Sequence, residues 1–566
     1  MHLLPKPKKL EIKENSLKSK KVNIKNLIAD NRIDKALGFF EQADDGVLLT
    51  VSAQGVGEGY TLTISPDEIK IEGNGVAGAF YGIQTLKQIF EETSVPCLEI
   101  EDEPDMKRRG FYHDVTRGKV PTVETLKGLI DKMAYYKMNE LQLYIEHTFP
   151  FKEFGDDVEK FGYLTPSEIK EIDDYCYDNF IEHVPSIATF GHLFELLAKP
   201  EYRHLQTVDN YEPDRIFWME RMAHHTIDPK NPESIEIIKS LIDQVLPLFR
   251  SDRFNICGDE TFDLKEGKYK GEDTGKLYVD FIKKIIAHLK SKGKKIMMWG
   301  DVLLQHPEVI PELPKDIQLA NWYYSENPPE ETFETFEKSG CEQIVCPGTS
   351  AWIGFTEDVI RANQNIIKMC DLGYKHGATG MLNTNWGDFG HLCSLELSMH
   401  GFVLGAAKSW NIETKADGEF DSSINAICYK NENAVKYLTI LSKANVVMSW
   451  NEIIWTYSKM TMNTKIHEYE LPTMEEIEKC ISNCQSVIAE LKKQTWEIDR
   501  YRTEFILAAE GIIIVADILA KLAKHDHKQV SNVAEWLKSY RESWMQVNKE
   551  SELYRLEKFL TELDAM

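Results

Sequence analysis

Short apolar runs alternate with amphipathic segments from Arg108 to about Lys408, and this alternation predicts parallel β/α units. Eight runs have strand length, at 110–115, 140–146, 182–189, 253–257, 295–299, 318–323, 343–347 and 377–383. Eight such units predict a closed (β/α)8 TIM barrel. Before it, strand-like stretches at 47–52, 60–64 and 69–71 precede a helix over 75–91 with small residues on one stripe and large apolar ones on another, a small α/β region. The acidic, proline-containing stretch Glu101-Asp-Glu-Pro-Asp105 reads as a linker. After the barrel the periodicity turns helical, with few glycines and many charges, as in 475–493 and 504–524. The chain is therefore read as α/β: a small α/β domain (1–105), a barrel catalytic domain (106–415) and an α-helical domain (416–566). The helices fit packing on the barrel, a homodimer interface, or both.

In a β/α barrel the reactive groups gather where strands end. The predicted strand ends carry Asp114 and Arg117; Glu146 and His147; Gly191 and His192; Asp259 and Glu260; Trp299 and Asp301; Trp322, Tyr323 and Tyr324; Ser350 and Trp352; Trp386 and Asp388. The most telling is Gly258-Asp259-Glu260. Neighbouring strand residues face opposite ways, so two adjacent acids share a site only where the pleat breaks, and Gly258 makes that break easy. Two carboxylates forced together raise each other's pKa, which keeps one protonated as a general acid while the other stays ionised. A solvated turn is the plain alternative. The doublet Trp-Gly-Asp occurs at 299–301 and again at 386–388. A pyranose stacks its apolar face on indole while a carboxylate accepts from its hydroxyls, although barrel tryptophans are often plain core. His147 and His192 are read as orienting groups, since the acid pair already supplies a donor.

Composition bounds the rest. A net charge of −25 over 566 residues argues against nucleic-acid or anionic-membrane partners. The basic start, Met1 to Lys9, has no apolar run after it and no segment has membrane-span character, so the cytoplasm is the expected compartment. Ten cysteines without CxxC or His/Cys clusters read as reduced thiols, with Cys480 and Cys484 as packing partners on one helix. Neither a metal nor an organic cofactor is expected, and no residue of the helical domain looks chemical.

Over residues 1–410 these features resemble the family-20 glycoside hydrolases, the β-N-acetylhexosaminidases. Leu4-Pro-Lys-Pro-Lys and Gly78-Ala-Phe-Tyr-Gly-Ile-Gln-Thr-Leu resemble that family's accessory domain, and Arg109-Gly-Phe-Tyr-His-Asp-Val-Thr-Arg117 its first barrel strand. Tyr136-Lys-Met-Asn139, Phe190-Gly-His192, Gly258-Asp-Glu260 and Trp386-Gly-Asp388 resemble later motifs in the same order. The helical last third and Glu146-His-Thr-Phe149 look more like a bacterial exo-acting subgroup. The resemblance implies an exo-enzyme that removes terminal β-linked GlcNAc, GalNAc or both by a substrate-assisted retaining mechanism. In it Glu260 is the acid and base and Asp259 holds the 2-acetamido group. Arg109 would bind the terminal sugar's hydroxyls and His192 support the acid. Trp299, Trp322 and Trp386 would wall the pocket, and Asp388 would bind an outer hydroxyl. His147, Asp301, Tyr323, Tyr324 and Trp352 complete the expected site. Narrower choice, for β-GalNAc or a modified GlcNAc, is one alternative, and a non-catalytic sugar-binding protein another. Four departures stand out: Asn255 and Cys257 replace the family's histidine and glycine before the acid pair, and His147 stands at its aspartate after strand two. Ser350-Ala-Trp-Ile-Gly supplies no acetamido-gripping tyrosine, a role left to Tyr323 or Tyr324.

Overall fold

The computed structural model describes residues 1–160, 162–208, 225–462 and 471–566. The first region is a six-stranded sheet of β1 (Lys9–Ser16), β2 (Val22–Asn26), β3 (Val47–Ala53), β4 (Tyr60–Ile64), β5 (Glu68–Gly73) and β6 (Pro96–Asp102), in the order β1-β6-β4-β5-β3-β2. In β5, Ile69 and Ile71 face inward while Lys70 and Glu72 face water, the alternation of a sheet covered on one side. The helix Val76–Glu91 covers it. Its small stripe lets the backbones close: a Cβ at Gly78 would collide with Gly59 O, and one at Gly82 with Ile71 and Tyr60. The sequence pattern misses β1, β2 and β6. All eight residues of β1 are exposed, so its alternation of Lys, Leu, Glu and Ile answers to no core.

The acidic stretch at 101–105 is not a free linker. Glu101 and Asp102 belong to β6, and the Asp102 carboxylate is buried. Its Oδ2 accepts from Tyr60 Oη (2.9 Å), Lys137 Nζ (3.1 Å) and Trp410 Nε1 (2.9 Å). One carboxylate thus joins the sheet to both ends of the barrel's sequence.

The barrel comprises β7 (Arg108–Asp114), β8 (Glu140–Ile145), β9 (Glu182–Ile187), β10 (Arg253–Asn255), β11 (Lys295–Trp299), β12 (Gln318–Trp322), β13 (Glu342–Cys346) and β14 (Gly380–Asn385). All eight pair in parallel and close β14 onto β7, from Gly380 opposite Arg108 to Asn385 opposite His113. Strands buried on both faces lose alternation, as in β8, where every residue is buried. Two bounds differ from the pattern. The last run starts at 380 because Gly377, at φ 71°, still belongs to the turn after the helix Val359–Lys375. The ladder of β10 stops at Asn255 because Cys257 and Gly258 take positive φ, 55° and 81°.

Beyond the barrel, helices including Ala434–Val447, Met474–Leu491, Asp499–Leu522, Val533–Val547 and Leu553–Ala565 form the helical region. It packs on the barrel: Gly511 of the long central helix meets Phe355, whose ring lies edge-on to Trp536 at 5.5 Å. Among the described residues no helix is long and apolar enough to cross a membrane. All ten cysteines are free and buried, Cys480 and Cys484 on one helix among them.

Candidate active site

After β10 the chain takes positive φ at Cys257, Gly258 and Glu260 (55°, 81° and 50°). This breaks the pleat, and Asp259 and Glu260 turn to one side. His192, itself at φ 59°, meets both from the loop after β9: its Nε2 lies 3.2 Å from Asp259 Oδ2 and 3.3 Å from Glu260 Oε2. Non-glycine residues in left-handed backbone concentrate strain, and strain clusters at functional sites. Gly191 makes the approach possible, because a Cβ there would strike the Asp259 carbonyl oxygen. His225 closes the far side, its Nε2 3.0 Å from the Glu260 carbonyl and its ring 4.8 Å from that of His192.

Charge alternates outward from this trio. Arg117, three residues past β7, places NH2 3.2 Å from His192 Nδ1 and pairs through NH1 with Asp388 Oδ1 (2.9 Å) and Asp114 Oδ2 (3.4 Å). Its NH2 also pairs with Glu146 Oε1 (3.2 Å), which accepts from Tyr144 Oη (2.9 Å) and lies 3.8 Å from His192 Nδ1. The expected mutual raising of the acid pair does not hold for Glu260. Burial pushes its carboxyl up, but the hydrogen bond and charge of His192, with Arg117 behind it, outweigh burial and bring it down to about 2. Burial alone would discharge His192, yet Asp259 and then Glu260 raise it well above its ordinary value. Burial raises Asp388 to about 6 despite Arg117.

Asp301 accepts from the backbone N of Glu260 at 3.0 Å and so fixes the turn that carries the acid. Burial, then the charge of Asp259, raises it to about 7. The unfolded carboxyl titrates at about 3.9. Between those values it is neutral when folded and ionised when unfolded, so its contribution to stability is lost as pH rises from about 4 to about 7. In Asp301→Asn that loss disappears: the variant's unfolding midpoint, measured relative to wild type, climbs through this window and levels off above it. Calorimetric scans at pH 5 and pH 8 measure it, and an equal offset at both would contradict the assignment.

The aromatic residues form one connected wall. Trp322 stacks on Tyr324 at 5.1 Å, Tyr324 meets Trp352 at 4.8 Å, and Trp386 Nε1 donates to Tyr324 Oη at 2.6 Å. Trp299 has no exposed surface and supports Trp386 from beneath, at 5.9 Å between rings, so it is a floor and not a wall. Tyr323 is half-buried beside Tyr324, and its carbonyl accepts from Asn365 Nδ2 (2.8 Å).

Two expected residues lie elsewhere. Arg109 sits near the start of β7, about 17 Å of strand from Asp114, fully buried at the opposite end of the barrel. Its guanidinium is spent on Glu58 (2.8 Å), Tyr81 Oη (3.2 Å) and the carbonyls of Lys137 and Met106 (2.8 and 2.9 Å), so it cannot reach a sugar. The arginine of the mouth is Arg117. The two should separate in assays: Arg109→Met lowers stability by leaving the buried carbonyls of Lys137 and Met106 without their donor, about 1 to 3 kcal/mol for each buried group left unpaired, with sugar affinity of the folded protein unchanged. Arg117→Met weakens sugar affinity, and denaturant titration beside ligand titration distinguishes them. His147 is also corrected: its buried ring faces Glu146 Oε2 (3.7 Å) and Glu552 Oε1 (3.8 Å), behind the pocket rather than in it. The residue pattern gave no place to Tyr144 or His225, and only a strand-end position to Arg117 and Glu146.

Comparison with known proteins agrees with this geometry. Residues 107–424 match the model of the glycosyl hydrolase family 20 catalytic domain, and residues 1–103 that of the family's domain 2. A beta-hexosaminidase of Porphyromonas gingivalis is 30% identical over 284 residues, covering 44% of this chain and 36% of that one. A beta-hexosaminidase of Akkermansia muciniphila is 26% identical over 235 residues, covering 36% and 45%. The matches thus span less than half the length of these curated relatives. The solved structure of Flavobacterium johnsoniae chitobiase shares the fold over 99% of each chain, with a TM-score of 0.61 at 20% identity. With both family models matched in order and more than half the chain inside the catalytic one, the chain belongs to glycosyl hydrolase family 20.

Proposed function

We propose that this chain is an exo-β-N-acetylhexosaminidase that removes terminal non-reducing β-linked GlcNAc or GalNAc from glycans with retention of configuration. The observation that carries the reading is the adjacent pair Asp259-Glu260, both carboxylates within 3.3 Å of one imidazole at the C-terminal mouth of the barrel. Ordinary retaining enzymes need two facing carboxylates about 5 Å apart, one of them a nucleophile. Adjacent acids serve instead when the substrate supplies the nucleophile: Asp259 orients the 2-acetamido group, whose carbonyl oxygen attacks the anomeric carbon to form an oxazolinium ion. The bond to the leaving oxygen breaks as Glu260 protonates it. Glu260 carries this proton in the bound complex, where the docked glycosidic oxygen excludes water, and His192 Nε2, 3.3 Å from its Oε2, orients the carboxyl. Glu260 then takes a proton from the water that opens the oxazolinium ring. Arg117 and Asp388 hold the sugar's outer hydroxyls, while Trp322, Trp352, Trp386 and Tyr324 enclose its faces. Tyr324 Oη accepts from Trp386 Nε1, which leaves its O–H free to donate, so Tyr324 or its neighbour Tyr323 grips the acetamido carbonyl.

The test is hydrolysis of aryl β-glycosides of GlcNAc, GalNAc and glucose, with and without a thiazoline mimic of the oxazolinium ion. Cleavage of the N-acetyl sugars alone, blocked by the thiazoline, is expected. Equal cleavage of the glucoside, or cleavage of none, would overturn the reading.

A further inference from the structure

The helical region reaches the mouth of the barrel and ties down the two loops that carry Arg117 and Asp388. Lys549 N donates to Val120 O (2.8 Å), and Ser551 Oγ and Glu552 N donate to Gly118 O (2.6 and 3.4 Å). On the other loop, Trp450 Nε1 donates to Phe389 O and Tyr540 Oη to Leu392 O, both at 3.0 Å. Beneath these backbone ties runs a line of ionisable side chains. His147 stands between Glu146 Oε2 (3.7 Å) and Glu552 Oε1 (3.8 Å). Arg555 Nε pairs with Glu552 Oε1 (3.1 Å), and its NH2 with Glu195 Oε1 (3.4 Å). Every side chain in the line is at most 8% exposed.

Burying so many ionisable groups is a poor way to gain stability, because apolar residues of similar volume would serve as well or better. Both ends of the line instead meet the surroundings of His192. Glu146 faces Arg117 and His192, and Glu195 lies three residues beyond His192, in the short helix Phe194–Leu197.

We propose that Glu552 and Arg555 are positioning residues of the active site: the helical region supplies the ion pair that braces His147 and Glu146, and through them the His192 imidazole against Asp259 and Glu260. This rests on the reading of the site as a hexosaminidase centre, but it is tested in two ways that fail separately. The first needs no turnover. His192 is faced by Asp259 and Glu260 from the loop after β10, by Arg117 from that after β7, by Glu146 from that after β8, and by the His225 ring. In Glu552→Gln, removal of a negative charge and loosening of Glu146 lower the pH at which His192 deprotonates, followed by nitrogen-15 NMR of the imidazoles in the full-length protein. An unchanged His192 titration in the folded variant would overturn the proposal even if no glycoside were cleaved. The second is kinetic. In Glu552→Gln, kcat of the folded protein for the aryl N-acetylglucosaminide falls about 10-fold while KM holds. Glu552→Asp recovers part of the loss, and adding His147→Gln to Glu552→Gln costs little more. Additive losses, or a fall in kcat that only follows the fraction folded, would reduce Glu552 to a structural tie and overturn it.

Discussion

Replacing Glu260 by Gln lowers kcat by about 10²- to 10⁴-fold, the range of a positioned general acid and base, while the thiazoline still binds. The amide keeps the size of the carboxylate and its place 3.3 Å from His192, but it has no acidic proton to give the leaving oxygen. Substrates with different leaving groups sharpen the result. An aryl glycoside whose phenol departs as a stable anion needs little help from an acid, so the variant's loss is smaller on it than on a natural glycan. A loss that is equal for both, or near-normal cleavage of the glycan, would remove Glu260 from the acid's role. Stability follows a different course. Glu260 is held at about 2 in the folded protein, below the ordinary glutamate value, so its contribution to stability is present above that ordinary value and is lost as pH falls toward 2. Glu260→Gln lacks this contribution at neutral pH and converges with wild type in acid.

The second large effect is expected at Asp259. Asp259→Asn removes the anion that would orient the acetamido group and balance the charge developing on it, a loss of about 10²- to 10³-fold. It falls on N-acetyl substrates and spares the plain glucoside, so the ratio between the two substrates collapses. Their kcat/KM values, measured side by side, check this, and an unchanged ratio would rule out substrate assistance. Asp259 also helps keep His192 protonated, so the variant's imidazole titrates lower than wild type's.

Much of this arrangement was legible in the residues because barrels put chemistry where strands end. The run-and-helix alternation predicted eight strands, and reading off their ends collected most of the groups that now face one another, from Asp114 and Arg117 to Trp386 and Asp388. The error over arginine is instructive. Arg109 and Arg117 stand in one motif, and only the rise along a strand separates them: one lies near the start of β7, the other beyond its end. That rule was available and was overridden by resemblance. His225 carried no signal, since it lies in the long connection between β9 and β10, outside any predicted strand end. Glu552 and Arg555 were invisible for another reason. They read as ordinary charges on an amphipathic helix, and their burial comes from a contact between regions hundreds of residues apart. The lowered Glu260 was equally out of reach, because pairing of acids could be read from adjacency but the cation between them could not.

The threefold acceptor Asp102 bears on how such a chain can be divided. Lys137 is buried, and Asp102 is its counter-charge. A fragment beginning at residue 107, where the catalytic family model begins, would keep the lysine and discard the carboxylate. It would carry an orphaned ammonium under the barrel, together with an indole N–H from Trp410 robbed of its acceptor. Shuffling of modules at this border, in the laboratory or in descent, must therefore move the sheet and the barrel together or replace the lysine first.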